Sequence, residues 1–128
     1  MKLLLDTTVL IDVLRGNKER IARLRSMPQY EMVTSAVNVA ELYAGKRVSE
    51  ESEIARLVAE LEVWAVTNEI GESAGNLVFR TARKGKTIGL PDALIAATAL
   101  VHDCPVMTAN RKDFASTGVV LIEDPQNI

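Results

Sequence analysis

The sequence predicts an α/β domain in which a central parallel sheet carries helices on both faces. Two observations lead to this prediction. Short apolar runs of strand length, such as Leu3–Leu5, alternate along the chain with longer segments of helical periodicity. The runs are apolar throughout, as is typical of parallel strands that are buried on both sides. The 128 residues are expected to form a single domain, 1–128.

Each predicted element has a local signal. Gly16 follows the first helix as a stop, Pro28 follows the second, and Ser35 is a suitable N-cap for the third. Pro91 suits the first turn of an alanine-rich helix. The predicted elements, in chain order, are a strand over Leu3–Leu5, a helix over 9–14, a helix over 18–26, a strand over 31–34, a helix capped by Ser35 and running to Gly45, a helix over 51–62, a strand over 63–66, a helix over 68–83, a helix from Pro91 to His102, a strand over 105–108, a helical turn over 111–114 and a strand over 119–122.

The composition excludes several classes of protein. With 15 lysine and arginine residues against 17 acids, the formal charge is −2, so no broad basic surface marks the chain as a polyanion-binding protein. The single cysteine, Cys104, excludes an internal disulfide and a thiolate metal cluster. Asp6 interrupts the N-terminal apolar run too early for a signal peptide, and no segment has the roughly 20 apolar residues of a membrane span. These features predict a cytoplasmic protein without a membrane segment.

Three acidic residues follow strands or begin helices. Asp6 follows the first strand, Asp92 lies in the first turn of its helix, and Asp113 follows the strand over 105–108. Each has a structural interpretation: a helix N-cap for Asp6, a favourable helix-dipole contact for Asp92 and a turn cap for Asp113.

Glu41 is harder to explain structurally, because its helix is apolar on nearly all sides. At helical spacing it shares one stripe with Val37, Ala40 and Ala44, which predicts a buried face. A buried carboxylate needs a cation or a proton, and a salt bridge to an arginine is the structural alternative.

Together, the four acids predict a divalent-metal site. The carboxyl ends of parallel strands form the ligand-binding edge of an open sheet, and four carboxylates meeting there would repel one another without a cation. Mg²⁺ and Mn²⁺ prefer carboxylate oxygen, whereas zinc prefers histidine or cysteine, of which the chain has one each. With the four acids neutralised, lysine and arginine outnumber the remaining acids, so this face would attract phosphate. Oxygen-ligated sites of this kind occur in enzymes that cut phosphodiesters.

Four blocks of sequence carry a family resemblance along the whole chain. They are Asp6-Thr7-Thr8-Val9-Leu10, the segment 35–42 with Ala40-Glu41-Leu42, the segment 90–99 that begins Leu90-Pro91-Asp92-Ala93, and Thr108-Ala109-Asn110-Arg111-Lys112-Asp113-Phe114. In this order and spacing they resemble the signature blocks of PIN-domain nucleases and, more narrowly, of the VapC toxins of toxin–antitoxin pairs. The resemblance implies a PIN-like fold and a Mg²⁺- or Mn²⁺-dependent endoribonuclease that leaves a 5′-phosphate and a 3′-hydroxyl. It also implies a homodimer that is inhibited by a small VapB-type antitoxin, which threads a segment into the acidic groove.

The resemblance also implies roles for individual residues. The acidic quartet, which would bind metal and catalyse cleavage, is matched by Asp6, Glu41, Asp92 and Asp113. Thr8 would orient Asp6 or contact the substrate phosphate. The residues with supporting or substrate-binding roles are Thr8, Thr108, Asn110, Arg111 and Lys112. Of these, Thr108 and Asn110 would brace the site, and the two basic residues are candidates for contacts with the RNA backbone.

Two other functions remain open at this stage. A PIN-fold module without catalysis would bind RNA or protein, although the intact quartet argues against it. A phosphoacceptor receiver-like domain has paired acids after its first strand, where Asp6 stands alone, and a lysine after its last, where Glu123 and Asp124 follow. Transfer, ribosomal and messenger RNA are all open as substrates. One further charged cluster is interpreted as a solvated helix face: Arg80, Arg83, Lys84 and Lys86.

Overall fold

A computed structural model describes residues 1–122, and this part of the chain contains four strands and seven helices. The strands are β1 (Lys2–Leu5), β2 (Glu31–Ser35), β3 (Glu62–Trp64) and β4 (Val106–Met107). The helices are α1 (Thr7–Leu14), α2 (Lys18–Arg25), α3 (Ala36–Ala44), α4 (Glu51–Ala59), α5 (Asn68–Arg83), α6 (Leu90–Val101) and α7 (Arg111–Phe114), and a 3₁₀ turn at Val48–Glu50 leads into α4. None of these helices is both long and apolar enough to cross a membrane.

The strands form one parallel sheet in the order β3-β2-β1-β4, which confirms the predicted parallel sheet. This order differs from the 2-1-3-4-5 order of the doubly wound fold to which receiver domains belong. The receiver-like alternative therefore loses its structural basis. Its other criterion, at Glu123 and Asp124, lies outside the described residues.

The central strand β1 explains the unbroken leucine run near the N-terminus. Side chains alternate between the two faces of a strand. Leu3 and Leu5 pack in a core with residues of α1, α3 and α4, whereas Leu4 packs on the other face in a core with residues of α5, α6 and α7. The prediction of helices on both faces is confirmed.

Sheet pairing corrects the bounds of two predicted elements. Trp64 pairs with Ser35, the last residue of β2, so β3 ends there and the predicted strand over 63–66 is too late by one residue at its start and two at its end. The helix predicted over 51–62 ends at Ala59, because Glu62 already pairs with Val33 in the sheet.

Strand β4 is shorter than the predicted strand over 105–108, and the strand predicted over 119–122 is reduced to one parallel bridge between Val106 and Leu121. Two backbone hydrogen bonds surround this bridge: Val106 N donates to Val120 O at 2.8 Å, and Ile122 N donates to Val106 O at 2.9 Å. Because β4 has only two residues, it is too short to pair with residues 119–122 along a longer ladder.

The sheet order creates a crevice at the carboxyl ends of β1 and β4. The chain passes from β1 to β2 on one side and returns as β4 on the other, so the direction of winding reverses between β1 and β4. Ligands bind outside the strand ends at such a reversal. Asp6 N donates to Met107 O at 3.0 Å, which fixes the two strand ends side by side. Asp6 and Thr108, the residues that follow the two strands, therefore flank the crevice.

Candidate active site

Asp6 is held at the crevice rather than used as a helix cap. Its backbone carbonyl accepts hydrogen bonds from Val9 N and Leu10 N, but its side chain makes no capping bond to α1. The carboxylate is only 5% exposed and accepts three hydrogen bonds. The donors are Asn38 Nδ2 at 3.1 Å to Oδ1, Thr108 Oγ1 at 2.7 Å to Oδ2 and Thr8 Oγ1 at 3.3 Å to Oδ2. The N-cap interpretation of this side chain is therefore wrong.

Glu41 lies on α3, but the face predicted to be buried with it is buried only in part, since Val37 packs partly buried against the core. Ala40 and Ala44 are exposed, and the buried side chains of α3 are Asn38 and Leu42. The helix packs on the sheet with that second stripe, which leaves Glu41 partly buried at the edge of the crevice. Its Oε1 accepts a hydrogen bond of 2.6 Å from Thr7 Oγ1. Within residues 1–122 it forms no salt bridge, so the arginine alternative is not realised there.

Asn38 connects these two acids and was not among the predicted site residues. It is fully buried, and its Nδ2 donates both to Asp6 Oδ1 and to Thr7 Oγ1, the latter at 2.9 Å. Its Oδ1 accepts from Ser35 Oγ at 2.6 Å and from Ser35 N at 3.3 Å. Because Thr7 in turn donates to Glu41, one amide links the end of β1 to the helix that carries Glu41. The available signal was an asparagine in an apolar helix, three residues after its cap and three before Glu41.

Asp92 and Asp113 complete the acidic group. Asp92 is the third residue of α6 and is partly buried, whereas Asp113 is exposed on the short helix α7. Partial burial and then the charges of Asp113, Asp6 and Glu41 together raise the pKa of Asp92 to about 6. A dipole contact alone would instead favour the carboxylate and lower the pKa. The other three carboxylates are therefore all within electrostatic reach of Asp92.

The donor chemistry of this group fits a hard divalent cation. No three His, Cys, Asp or Glu side chains among residues 1–122 already enclose a metal position. Yet the side-chain carboxylates of Asp92 and Asp113 accept no hydrogen bond and form no ion pair in the described part of the chain, so their oxygens remain available to a cation. The softer donors are engaged elsewhere: the His102 ring stacks on Trp64 with centroids 3.7 Å apart, and Cys104 Sγ donates to Lys2 O. Oxygen ligands of this type suit Mg²⁺ or Mn²⁺, and an ion would draw them together.

The predicted supporting residues are placed in two groups. Thr8 and Thr108 contact Asp6, and Thr8 Oγ1 also accepts from Ala109 N at 3.0 Å. Asn110 reaches this group through its backbone, where its N–H donates to Thr108 Oγ1 at 3.0 Å. Arg111 donates from Nη1 to the backbone Ile122 O at 3.1 Å and forms no ion pair with the acids in the described part of the chain, whereas Lys112 is exposed.

Comparison with known proteins relates the whole arrangement to one family. The PIN domain model matches residues 3–120. The chain is 38% identical over 109 residues to ribonuclease VapC10 of Mycobacterium tuberculosis, covering 84% of this chain and 82% of that protein. It is 37% identical over 116 residues to ribonuclease VapC19 of the same species, covering 87% and 90%. In the crystal structure of DNA-bound VapBC from Salmonella typhimurium, a chain with 26% identity superposes with a TM-score of 0.81, over 97% of this chain and 98% of that chain.

Proposed function

Because the chain belongs to the PIN-domain family and, within it, to the VapC ribonucleases, we propose that it is the endoribonuclease toxin of a toxin–antitoxin pair. It hydrolyses RNA phosphodiester bonds with Mg²⁺ or Mn²⁺ as cofactor. The observation that carries this proposal is the convergence of Asp6, Glu41, Asp92 and Asp113 at the strand-end crevice. Buried donors fix Asp6, and the partly buried Thr7 fixes Glu41.

Some residues of the site would bind the cation, and others orient the carboxylates that bind it. Asp6, Glu41 and Asp92 would hold the main cation, and the exposed Asp113 would support it or a second ion. Thr108, Thr8 and Asn38 fix the direction of the Asp6 oxygens. The cation supplies activation of water and charge neutralisation at phosphate when it is bound. Water adds to phosphorus, the bond to the 3′-oxygen breaks, and a 3′-hydroxyl and a 5′-phosphate result.

A VapB-type antitoxin and a homodimer complete the proposal. The Salmonella neighbour is a VapBC structure, which supports an antitoxin partner. Ala40 and Ala44 leave an apolar face of α3 exposed beside Glu41, and Leu90 is 57% exposed at the start of α6. A second copy of the chain would cover such a face. The cytoplasm is the proposed location, because RNA is the substrate and the one thiol, Cys104, is unpaired.

The proposal is tested by cleavage of total RNA with purified protein that is free of antitoxin. Asp6→Asn is compared with Asp103→Asn, an exposed position near the other end of α6 where the backbone φ of 51° suits asparagine. Each protein is assayed with Mg²⁺, with Mn²⁺ and with EDTA. We expect discrete fragments from the wild type and Asp103→Asn with metal only, and a loss of at least about a hundredfold in Asp6→Asn.

The fragment ends identify the RNA class, with transfer RNA among the candidates, and light scattering on the same samples gives the oligomeric state. Cleavage that survives EDTA or the Asp6 substitution would contradict the proposed mechanism. A folded wild type that cuts no RNA with either metal would favour the non-catalytic module.

A further inference from the structure

A basic surface lies at the end of α5 and in the loop that follows it. Arg80, Arg83, Lys84 and Lys86 are all exposed, and no acidic residue occurs between Phe79 and Pro91. None of the four cations forms an ion pair with a carboxylate in residues 1–122. Because the chain as a whole has a net charge of −2, the residues outside this basic surface carry a net negative charge.

This basic surface is close along the chain to Asp92 of the acidic crevice. Helix α5 ends at Arg83 and α6 begins at Leu90, so the loop between them leads into the first turn of α6, which carries Asp92. Ile88 is buried and anchors the loop to the core. Lys86 is only six residues from Asp92, which limits their separation to about 20 Å even for extended chain.

An aromatic side chain adjoins the cations. Phe79 is 60% exposed, and the Arg83 guanidinium lies over its ring at 5.3 Å from the centroid. Basic residues beside an exposed aromatic ring are the combination that single-stranded nucleic acid uses, because phosphates bind the cations and bases stack on the ring.

We propose that the surface formed by Phe79, Arg80, Arg83, Lys84 and Lys86 binds a single-stranded segment of the RNA substrate next to the bond that is cut. This inference rests on the proposed ribonuclease function. The acidic crevice repels a polyanion, so a nearby positive surface supplies the attraction that brings the RNA backbone to it. The surface acts in binding and not in the chemical step, so its loss raises KM and leaves kcat unchanged.

The test uses a synthetic RNA that spans a cleavage site mapped with the wild type. Arg83→Gln/Lys86→Gln is compared with Lys18→Gln/Arg25→Gln, which removes the same charges from exposed positions on α2. We expect the first variant to raise KM on the order of tenfold at about 0.1 M salt and to lower the slope of log KM against log salt by about 1.4. The second variant keeps the wild-type values. Phe79→Ala is expected to raise KM about fivefold or more at any salt concentration.

Other outcomes overturn the inference. An unchanged KM in Arg83→Gln/Lys86→Gln, or a fall in kcat alone, removes the surface from RNA binding. A change in molecular mass by light scattering reassigns it to contact with another protein chain. If the wild type cuts no RNA, the proposed function fails and no cleavage site can be mapped. The affinity of a labelled single-stranded RNA of mixed sequence, measured in EDTA, then decides the surface: a loss confined to the Arg83/Lys86 variant supports it, and equal affinity overturns it.

Discussion

Replacing Asp92 with asparagine is expected to stabilise the metal-free protein while abolishing cleavage. In the folded protein the pKa of Asp92 is about 6, against an ordinary value of 3.8. One pKa unit corresponds to about 1.4 kcal/mol, so full ionisation opposes folding by about 3 kcal/mol before solvent screening. Because the side chain is only partly buried, screening reduces this to about 1 kcal/mol. Asparagine has nearly the same shape and no charge, so it removes the penalty.

The sign of the pH dependence follows from the raised pKa of Asp92. As pH rises, the carboxyl group ionises in the unfolded chain first, so the penalty accumulates between the unfolded value of 3.8 and the folded value of about 6 and is constant above it. The gain in free energy of unfolding for Asp92→Asn is therefore full at about pH 7.5. It is smaller near pH 4.5 and vanishes at lower pH, where both states are neutral.

The assay is urea unfolding in EDTA at these two pH values. Glu72→Gln is the control, because Glu72 is exposed on α5 and forms no ion pair in the described part of the chain; its change is expected to stay within about 0.5 kcal/mol. Adding Mg²⁺ is expected to stabilise the wild type and not Asp92→Asn, because only a native carboxylate site binds the ion. An Asp92→Asn protein that is less stable than wild type near pH 7.5, or whose advantage does not shrink toward pH 4.5, would refute the reasoning.

Three other substitutions or reagents test the network and the core. Asn38→Ala is expected to lower cleavage about 10- to 100-fold, which is the usual effect of removing a residue that supports a metal ligand. The control, Thr67→Ala, removes a remote N-cap worth about 1 kcal/mol and is expected to keep its activity. Equal losses of activity in the two variants would contradict this prediction. Leu4→Ala, at a fully buried position, is expected to lower the free energy of unfolding by about 3 kcal/mol, and a loss below about 1 kcal/mol would argue against tight packing there. Burial raises the pKa of the Cys104 thiol, so a thiol reagent is expected to label it only as the protein unfolds, in contrast to rapid labelling of an accessible thiolate.

The positions of the acids were predictable because they depend on strand ends. The run Leu3–Leu5 is apolar at every position, which indicates a strand buried on both faces, and parallel strands of this kind place their carboxyl ends at one edge. Asp6 follows that run directly. Asp113 lies farther from its strand, on α7 and six residues after Met107, so its position also depends on the turn between β4 and α7. Local signals were sufficient for Asp6, because it follows its apolar run with no intervening loop.

The orientation of α3 was not predictable from its composition. Its two candidate faces, one with Ala40 and Ala44 and the other with Asn38 and Leu42, differ little in apolar content. Periodicity favoured the face with Glu41 and the alanines, but the helix packs on the other. The hydrogen bonds of Asn38 decide between the two faces. A buried Asn38 amide needs hydrogen-bond partners, and two of these, Asp6 and Thr7, are distant in sequence. Likewise, Arg111 adjoins the acids in sequence but turns to Ile122 O, a contact that depends on where the last bridge lies.

The choice of asparagine at position 38 follows from what the buried site demands. Its oxygen accepts from Ser35, while its two N–H groups donate separately to Asp6 and to Thr7. Serine and threonine have one donor hydrogen and aspartate has none when ionised, so neither type satisfies all of these partners. An aspartate would also add a charge beside the acid that it now supports. The amide thus holds two carboxylates in place without adding to their repulsion, and the crevice keeps its negative charge for a cation.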